Sequence, residues 1–166
     1  MVQAFTILRK KYLWSAELYL AGAKESDIRD ALRERQIRVE EVDWQKIHLL
    51  GDLGSEKLTD YYNLCDVFCM PSYFEAYGLV FAEALTYGLP CIGSDKFAMS
   101  EFIEDGCTGR LISGEDAEEL ALDLWEVLQD PKYREEVERR REWYLREYSW
   151  DKVAQRICSV MEKNER

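Results

Sequence analysis

At 166 residues the chain fits a single domain, long enough to bury roughly 70% of its unfolded surface without disulfide or metal staples. Apolar residues at 47% and charged residues at 33% make a globular mixture, not a disordered or membrane-spanning one. A net charge of −11, from 33 acidic and 22 basic residues, argues against the clustered cations of a duplex-binding surface, so no nucleic-acid partner is expected.

In chain order, Phe5, Leu8, Tyr12 and Leu13 fall at helical spacing and predict an opening amphipathic helix. Ala16–Gly22 is a short apolar run ending in glycine, read as a strand. Ser26 is placed as the cap of a second helix with Ile28, Ala31 and Leu32 on its inner face. Lys46–Gly51 reads as a strand, Ser55–Leu64 as a helix, and Asp66–Pro71 as the clearest buried strand, stopped by its proline. A helix is expected from Gly78 to Tyr87, then strands at Pro90–Gly93 and Gly109–Ile112. Asp116 and Glu119 resemble a capping box for the helix Ala117–Leu128. Asp130 and Pro131 restart the chain as a charged helical stretch through Arg166.

Short apolar strands alternating with helices predict an α/β fold, a Rossmann-like doubly wound parallel sheet with a helical carboxyl-terminal tail. Residues 1–130 are assigned to the sheet domain and 131–166 to its tail. Trp150, Val153, Ala154, Ile157, Val160 and Met161 recur at three- and four-residue steps, an apolar stripe expected to fold back on the domain or to self-associate.

The five cysteines and single His48 show no pair-of-pairs spacing, so no metal is expected and the thiols are read as reduced in a cytoplasmic protein. The amino-terminal basic residues follow the apolar stretch instead of preceding it, unlike a signal peptide, and no apolar run approaches ~20 residues. Peripheral membrane association stays open. His48, Trp143, Tyr144 and Tyr148 are read as structural.

In doubly wound sheets ligands sit beyond the carboxyl ends of the strands, which directs attention to Pro71–Ala84, PSYFEAYGLVFAEA. A strand ends at Pro71, a loop carries Glu75, Gly78 opens a helix, and Glu83 lies in its second turn. A helix start offers unpaired N–H groups and a positive dipole end to a phosphate, and two carboxylates can accept hydrogen bonds from paired sugar hydroxyls. Taken alone, the same residues also fit a solvated loop glutamate and the polar face of a helix packed through Leu79 and Leu85.

The spacing of Glu75 and Glu83 resembles the E-x7-E motif of the group-1 retaining glycosyltransferases of the GT-B fold. Residues 46–95 are similar to that family's strand, helix, "PS…E…G" and "EA…G.P" sequence, and Glu101, Asp105, Gly106, Thr108 and Gly109 to its later "E-I…DG-x-TG-x-L" segment. The resemblance implies one half of a GT-B fold that binds a nucleotide-sugar donor. Glu75 would contact the transferred sugar as the catalytic-site glutamate, and Glu83 would hold the ribose hydroxyls. Backbone at Tyr77, Gly78 and Leu79 would cradle sugar and pyrophosphate, and Gly51 would line the base pocket. Such enzymes work without a metal or other cofactor, in glycan, glycolipid or polysaccharide synthesis. Two departures stand out. Phe97 and Ala98 replace the family's glycine pair, and the chain opens after the family's first strand, its Arg and its Lys-Gly loop. The first changes the loop near the acceptor, with Phe97 read as packing; the second implies a fragment or split enzyme whose amino-terminal acceptor domain is a separate partner. A non-catalytic subunit that keeps the fold and a nucleotide-sugar epimerase remain as alternatives.

Overall fold

A computed structural model describes residues 1–72, 77–96, 98–114 and 116–164, with side chains up to residue 162. Eight helices and five strands alternate among them. Helix α1 (Val2–Lys11) leads to β1 (Leu18–Ala21), α2 (Glu25–Glu34), two single-turn 3-10 segments (Val39–Glu41 and Trp44–Lys46) and β2 (Ile47–Gly51). Then come α3 (Ser55–Leu64), β3 (Phe68–Met70), α4 (Leu79–Thr86), β4 (Cys91–Ser94), α5 (Met99–Phe102) and β5 (Gly109–Ile112). The chain ends in α6 (Ala117–Gln129), α7 (Lys132–Glu147) and α8 (Trp150–Asn164).

All strand pairs are parallel, with helical crossovers on both faces, as the α/β pattern requires. Ile92 of β4 and Ile112 of β5 face α1 and α6, where Leu8, Leu120, Leu124 and Val127 are buried. Cys91 faces the opposite way, toward Phe81 and Leu85 of α4, Phe102 of α5 and Val137 and Tyr144 of α7. Leu18, Leu20, Ile47 and Leu49 alternate inward on β1 and β2 and pack against Val2, Phe5 and Leu32.

The hydrogen-bonded ladder comes in two pieces, β1–β2 and β3–β4–β5. Helix α1 spans them, placing Val2 and Phe5 in the cluster beneath β1–β2 and Ala4 and Leu8 beneath β3–β5. The division corrects the expectation for Asp66–Pro71. Every residue of β4 is buried, because that strand is flanked on both edges; β3 pairs along one edge only and is half-buried throughout. The apolar composition of β3 belongs to an interior strand, but burial also needs two neighbours.

Several helix ends differ from their sequence signals. Lys24, in extended conformation, precedes α2, and Ser26 lies inside the helix with its hydroxyl donating to Asp27 at 3.0 Å. Asp116 does cap α6, accepting the Glu118 amide at 2.8 Å. The tail divides. Helix α7 is anchored by Tyr133, Val137 and Tyr144, whereas α8 projects with Trp150 at 86% exposure and Ile157, Val160 and Met161 above half exposure. Among the described residues the fold-back expected for the apolar stripe is not seen: α8 meets α7, where an ion pair joins Arg156 to Glu147.

Candidate functional site

The junction after β3 carries the candidate site. Ser72 donates its amide to the Met70 carbonyl at 2.8 Å and turns the chain away from the strand. Glu75 and Phe97 lie outside the described residues. The chain re-enters at Tyr77 and Gly78, and Gly78 takes the left-handed conformation, φ 80° and ψ 42°, immediately before α4. A residue with a Cβ would be strained there, which is the physical reason for glycine at this point of the motif. The Phe81 amide bonds back to the Gly78 carbonyl at 2.9 Å, so the amides of Leu79 and Val80 precede the first intrahelical donor. They and the dipole mark this helix start as the anion-favouring end.

Four apolar residues of α4, Phe81, Ala82, Ala84 and Leu85, are buried at helical spacing, and they fix the helix against the core. Leu79 and Glu83, one turn apart, share its outer face, with Leu79 59% exposed. Leu79 therefore does not pack against the core; it stands beside Glu83 on the solvent-exposed side. The Glu83 carboxylate accepts a hydrogen bond from the Tyr62 hydroxyl of α3, Oη to Oε2, at 3.3 Å. Tyr77 is 45% exposed and rests edge-on against Phe102, 5.2 Å between ring centres, and Phe102 in turn meets Tyr148 at 5.3 Å. Burial, with smaller contributions from the charges of Tyr77, Tyr144 and Glu101, pushes the Tyr148 hydroxyl up to about 12, so that hydroxyl keeps its proton.

Gly51 ends β2 at φ 61°, its carbonyl accepting the Gly22 amide at 2.7 Å, so the carboxyl ends of β1 and β2 are tied together. Among the described residues no atom lies within 4 Å of where a Gly51 side chain would begin. Its link to α4 runs through α3, which starts after Gly54 and delivers Tyr62 to Glu83. Tyr77, Gly78, Leu79 and Glu83 are thus gathered at one helix start, and Gly51 ends β2, connected to it through α3.

Residues outside this region have structural roles. Arg9 bonds the Ala16 carbonyl and Asp43, Lys10 pairs with Glu41 and Lys11 with Glu118, all at the far end of α1. His48 stacks on Tyr19, 4.5 Å between rings, and contacts Glu17 at 2.9 Å. Lys46 first and His48 second hold the Glu17 carboxyl at about 2. The later motif segment is a turn that launches β5. The Thr108 hydroxyl accepts the Glu104 amide at 2.9 Å, the Asp105 carboxylate accepts the Leu111 amide at 2.9 Å, and the Gly106 amide donates to the Gly109 carbonyl at 2.9 Å.

Tyr62 escaped the sequence reading. Its signal was available: Leu58, Tyr62 and Cys65 fall at i, i+4 and i+7 and face the core, and a buried tyrosine needs a partner for its hydroxyl.

Residues 1–143 match the family model described as glycosyl transferases group 1. A D-inositol 3-phosphate glycosyltransferase of Kribbella flavida is 32% identical over 98 residues, 59% of this chain and 23% of that protein. An uncharacterised glycosyltransferase of Methanocaldococcus jannaschii is 29% identical over 149 residues, 88% of this chain and 37% of that protein. Among solved structures, the pneumococcal O-GlcNAc transferase GtfA in complex with UDP and GlcNAc superposes with a TM-score of 0.71 at 25% identity, over 96% of this chain and 32% of that one. Anabaena HepE in complex with UDP and glucose superposes at 0.78 and 18% identity, over 98% of this chain and 44% of that one, a likeness of fold. This chain spans less than half the length of each.

Proposed function

The chain belongs to the group 1 glycosyl transferases, and from that premise we propose that it is the donor-binding half of a glycosyltransferase that moves a sugar from a nucleotide to an acceptor with retained configuration. One observation carries the proposal. A left-handed glycine caps a buried helix at the carboxyl end of a parallel strand, and a carboxylate held by Tyr62 stands one turn in. In this reading the amides beyond Gly78 take the pyrophosphate, Glu83 accepts the ribose hydroxyls, and Gly51 leaves room for the base. Tyr77 and Leu79 border the sugar. Glu75 meets its hydroxyls and fixes the sugar for attack on the face the phosphate leaves.

Such a displacement depends on position and on stabilising the departing phosphate more than on a protein nucleophile. The reading calls on no metal ion. The chain spans less than half the length of its relatives, so in this reading acceptor binding, membrane association and neutralisation of the pyrophosphate belong to the whole protein, placed in cytoplasmic glycan, glycolipid or polysaccharide synthesis. The chain alone then binds a nucleoside diphosphate weakly and transfers nothing. Titration calorimetry with UDP, GDP and ADP tests the first half, and Glu83→Ala should weaken the tightest of them about ten- to a hundred-fold, the worth of a lost charged hydrogen bond. Glu75→Ala should mainly lower transfer in the complete enzyme. Equal and negligible effects of both substitutions would overturn the proposal.

A further inference from the structure

Tyr62 is 5% exposed and held on two sides by rings: Tyr87 stacks on it at 5.3 Å and 21°, and Phe68 meets it edge-on at 6.0 Å. Tyr87 is itself steadied through its hydroxyl, 3.3 Å from the Thr59 hydroxyl one turn earlier on α3. The ring therefore cannot swing, and its hydroxyl must find an acceptor within a small arc. That acceptor is Glu83 Oε2 at 3.3 Å. Glu83 itself is exposed on α4 and belongs to a different element. An exposed glutamate samples many rotamers, and a binding carboxylate that must be ordered at the moment of binding loses affinity to that ordering.

We propose that Tyr62 is a positioning residue for Glu83: a rigid donor reaching from α3 that pins one carboxylate oxygen and presents the remaining lone pairs to the two ribose hydroxyls of the nucleotide. The inference rests on the reading that Glu83 accepts those hydroxyls. Burial first, and the Glu83 charge second, raise the Tyr62 hydroxyl above the ordinary tyrosine range, so it keeps its proton and stays a donor at every working pH. The 3.3 Å contact is long for an O–H···O bond and is expected to shorten once a ligand engages the carboxylate.

The same geometry gives α3 a second task. Its first residues follow the Gly51 loop, and its third turn carries Tyr62, so one helix sets both the base side and the ribose side of the donor.

Tyr62→Phe tests the proposal, because it keeps the stacked ring and removes only the hydroxyl; a thermal melt checks that the core survives. The probes are UDP, the nucleotide in the pneumococcal and Anabaena complexes, and 2′,3′-dideoxyuridine diphosphate, which lacks both hydroxyls. Calorimetry should show Tyr62→Phe weakening UDP about three- to ten-fold, the worth of one net hydrogen bond, with the dideoxy compound unchanged. Glu83→Gln should cost less in the Tyr62→Phe background than alone. Equal weakening of both nucleotides, which a merely structural role produces, overturns the inference, as do no weakening and strict additivity. Should Glu83→Gln itself leave the preference for UDP over the dideoxy compound unmoved, or the unaltered chain bind neither, the ribose reading falls and takes the inference with it. If Glu83→Gln moves that preference and Tyr62→Phe does not, only the inference falls.

Discussion

Gly109→Ala should be far more damaging than Gly106→Ala, although the two glycines stand three residues apart in one motif. Gly109 opens β5 opposite Cys91 of β4. A methyl group there would sit 2.7 Å from the Cys91 carbonyl carbon and 2.9 Å from its nitrogen, and nearer still to the oxygen, where real contacts stay beyond 3.0 Å. These are backbone atoms of a fully buried residue, Cys91, so neither a side-chain swing nor water can absorb the conflict. β5 must retreat, and the ladder from Cys91–Gly109 to Ser94–Ile112 spans four residue pairs. Losing three or four net hydrogen bonds at ~1 kcal/mol each gives about 3–4 kcal/mol, a large share of the ~5–15 kcal/mol that holds a domain. Gly106 is the opposite case, with φ at +73° and, among the described residues, no atom within 4 Å of the added carbon. Only the left-handed backbone is then strained, at about 1–2 kcal/mol. Urea titration followed by circular dichroism gives both losses. A Gly109→Ala loss no larger than that of Gly106→Ala would refute the steric argument.

Asp123 is 5% exposed and its partner Arg110, Nε to Oδ1 at 3.0 Å, is a third exposed. Arg110→Met should cost about 2–4 kcal/mol at pH 7, below the full value for a buried pair because solvent screens the arginine. Burial already raises the Asp123 carboxyl, partly offset by Arg110. Without the arginine the folded state holds that proton to higher pH than the unfolded chain, so stability falls as pH rises through this window and the deficit should shrink at pH 5, as urea melts at both pH values will show. Maleimide at pH 8 should label exposed Cys158 first and Cys69 and Cys91 last, since burial pushes the Cys69 thiol up to about 12 and Cys91 well above the ordinary range; early Cys91 labelling by mass spectrometry contradicts this. The bare stripe on α8 should drive concentration-dependent association that vanishes on deleting residues after 148; light scattering that stays monomeric throughout counts against it.

Periodicity found the regular elements because each buries a repeating face: Phe5 and Leu8 on α1, Leu120, Leu124 and Val127 on α6. The start of α4 was legible because Gly78 must adopt a conformation other residues resist. The short pieces were not. Helix α5 is four residues long, too few for a period, and it is held by Met99 and Phe102 in a core assembled from distant segments. Capping at α2 misled for a related reason, since Ser26 satisfied itself with neighbouring Asp27. The Tyr62–Glu83 contact joins two residues 21 positions apart on different helices and depends on tertiary packing that no local pattern encodes. The half-exposure of β3 likewise reflects what lies beside it in space.

The position of α1 between the two ladders has a dynamic consequence. On ten residues it presents Val2 and Phe5 one way and Ala4 and Leu8 the other, so much of the coupling between the halves passes through a single helix. The half built on β1 and β2 has the smaller buried cluster and should open first, its amides exchanging with deuterium while β4 remains protected. A ligand that reaches from the Gly51 loop to the start of α4 would bridge across that division. Its binding would then register as slower exchange along β1 and β2, residues it need not touch, and the donor would serve as a clasp that makes two semi-independent halves melt as one.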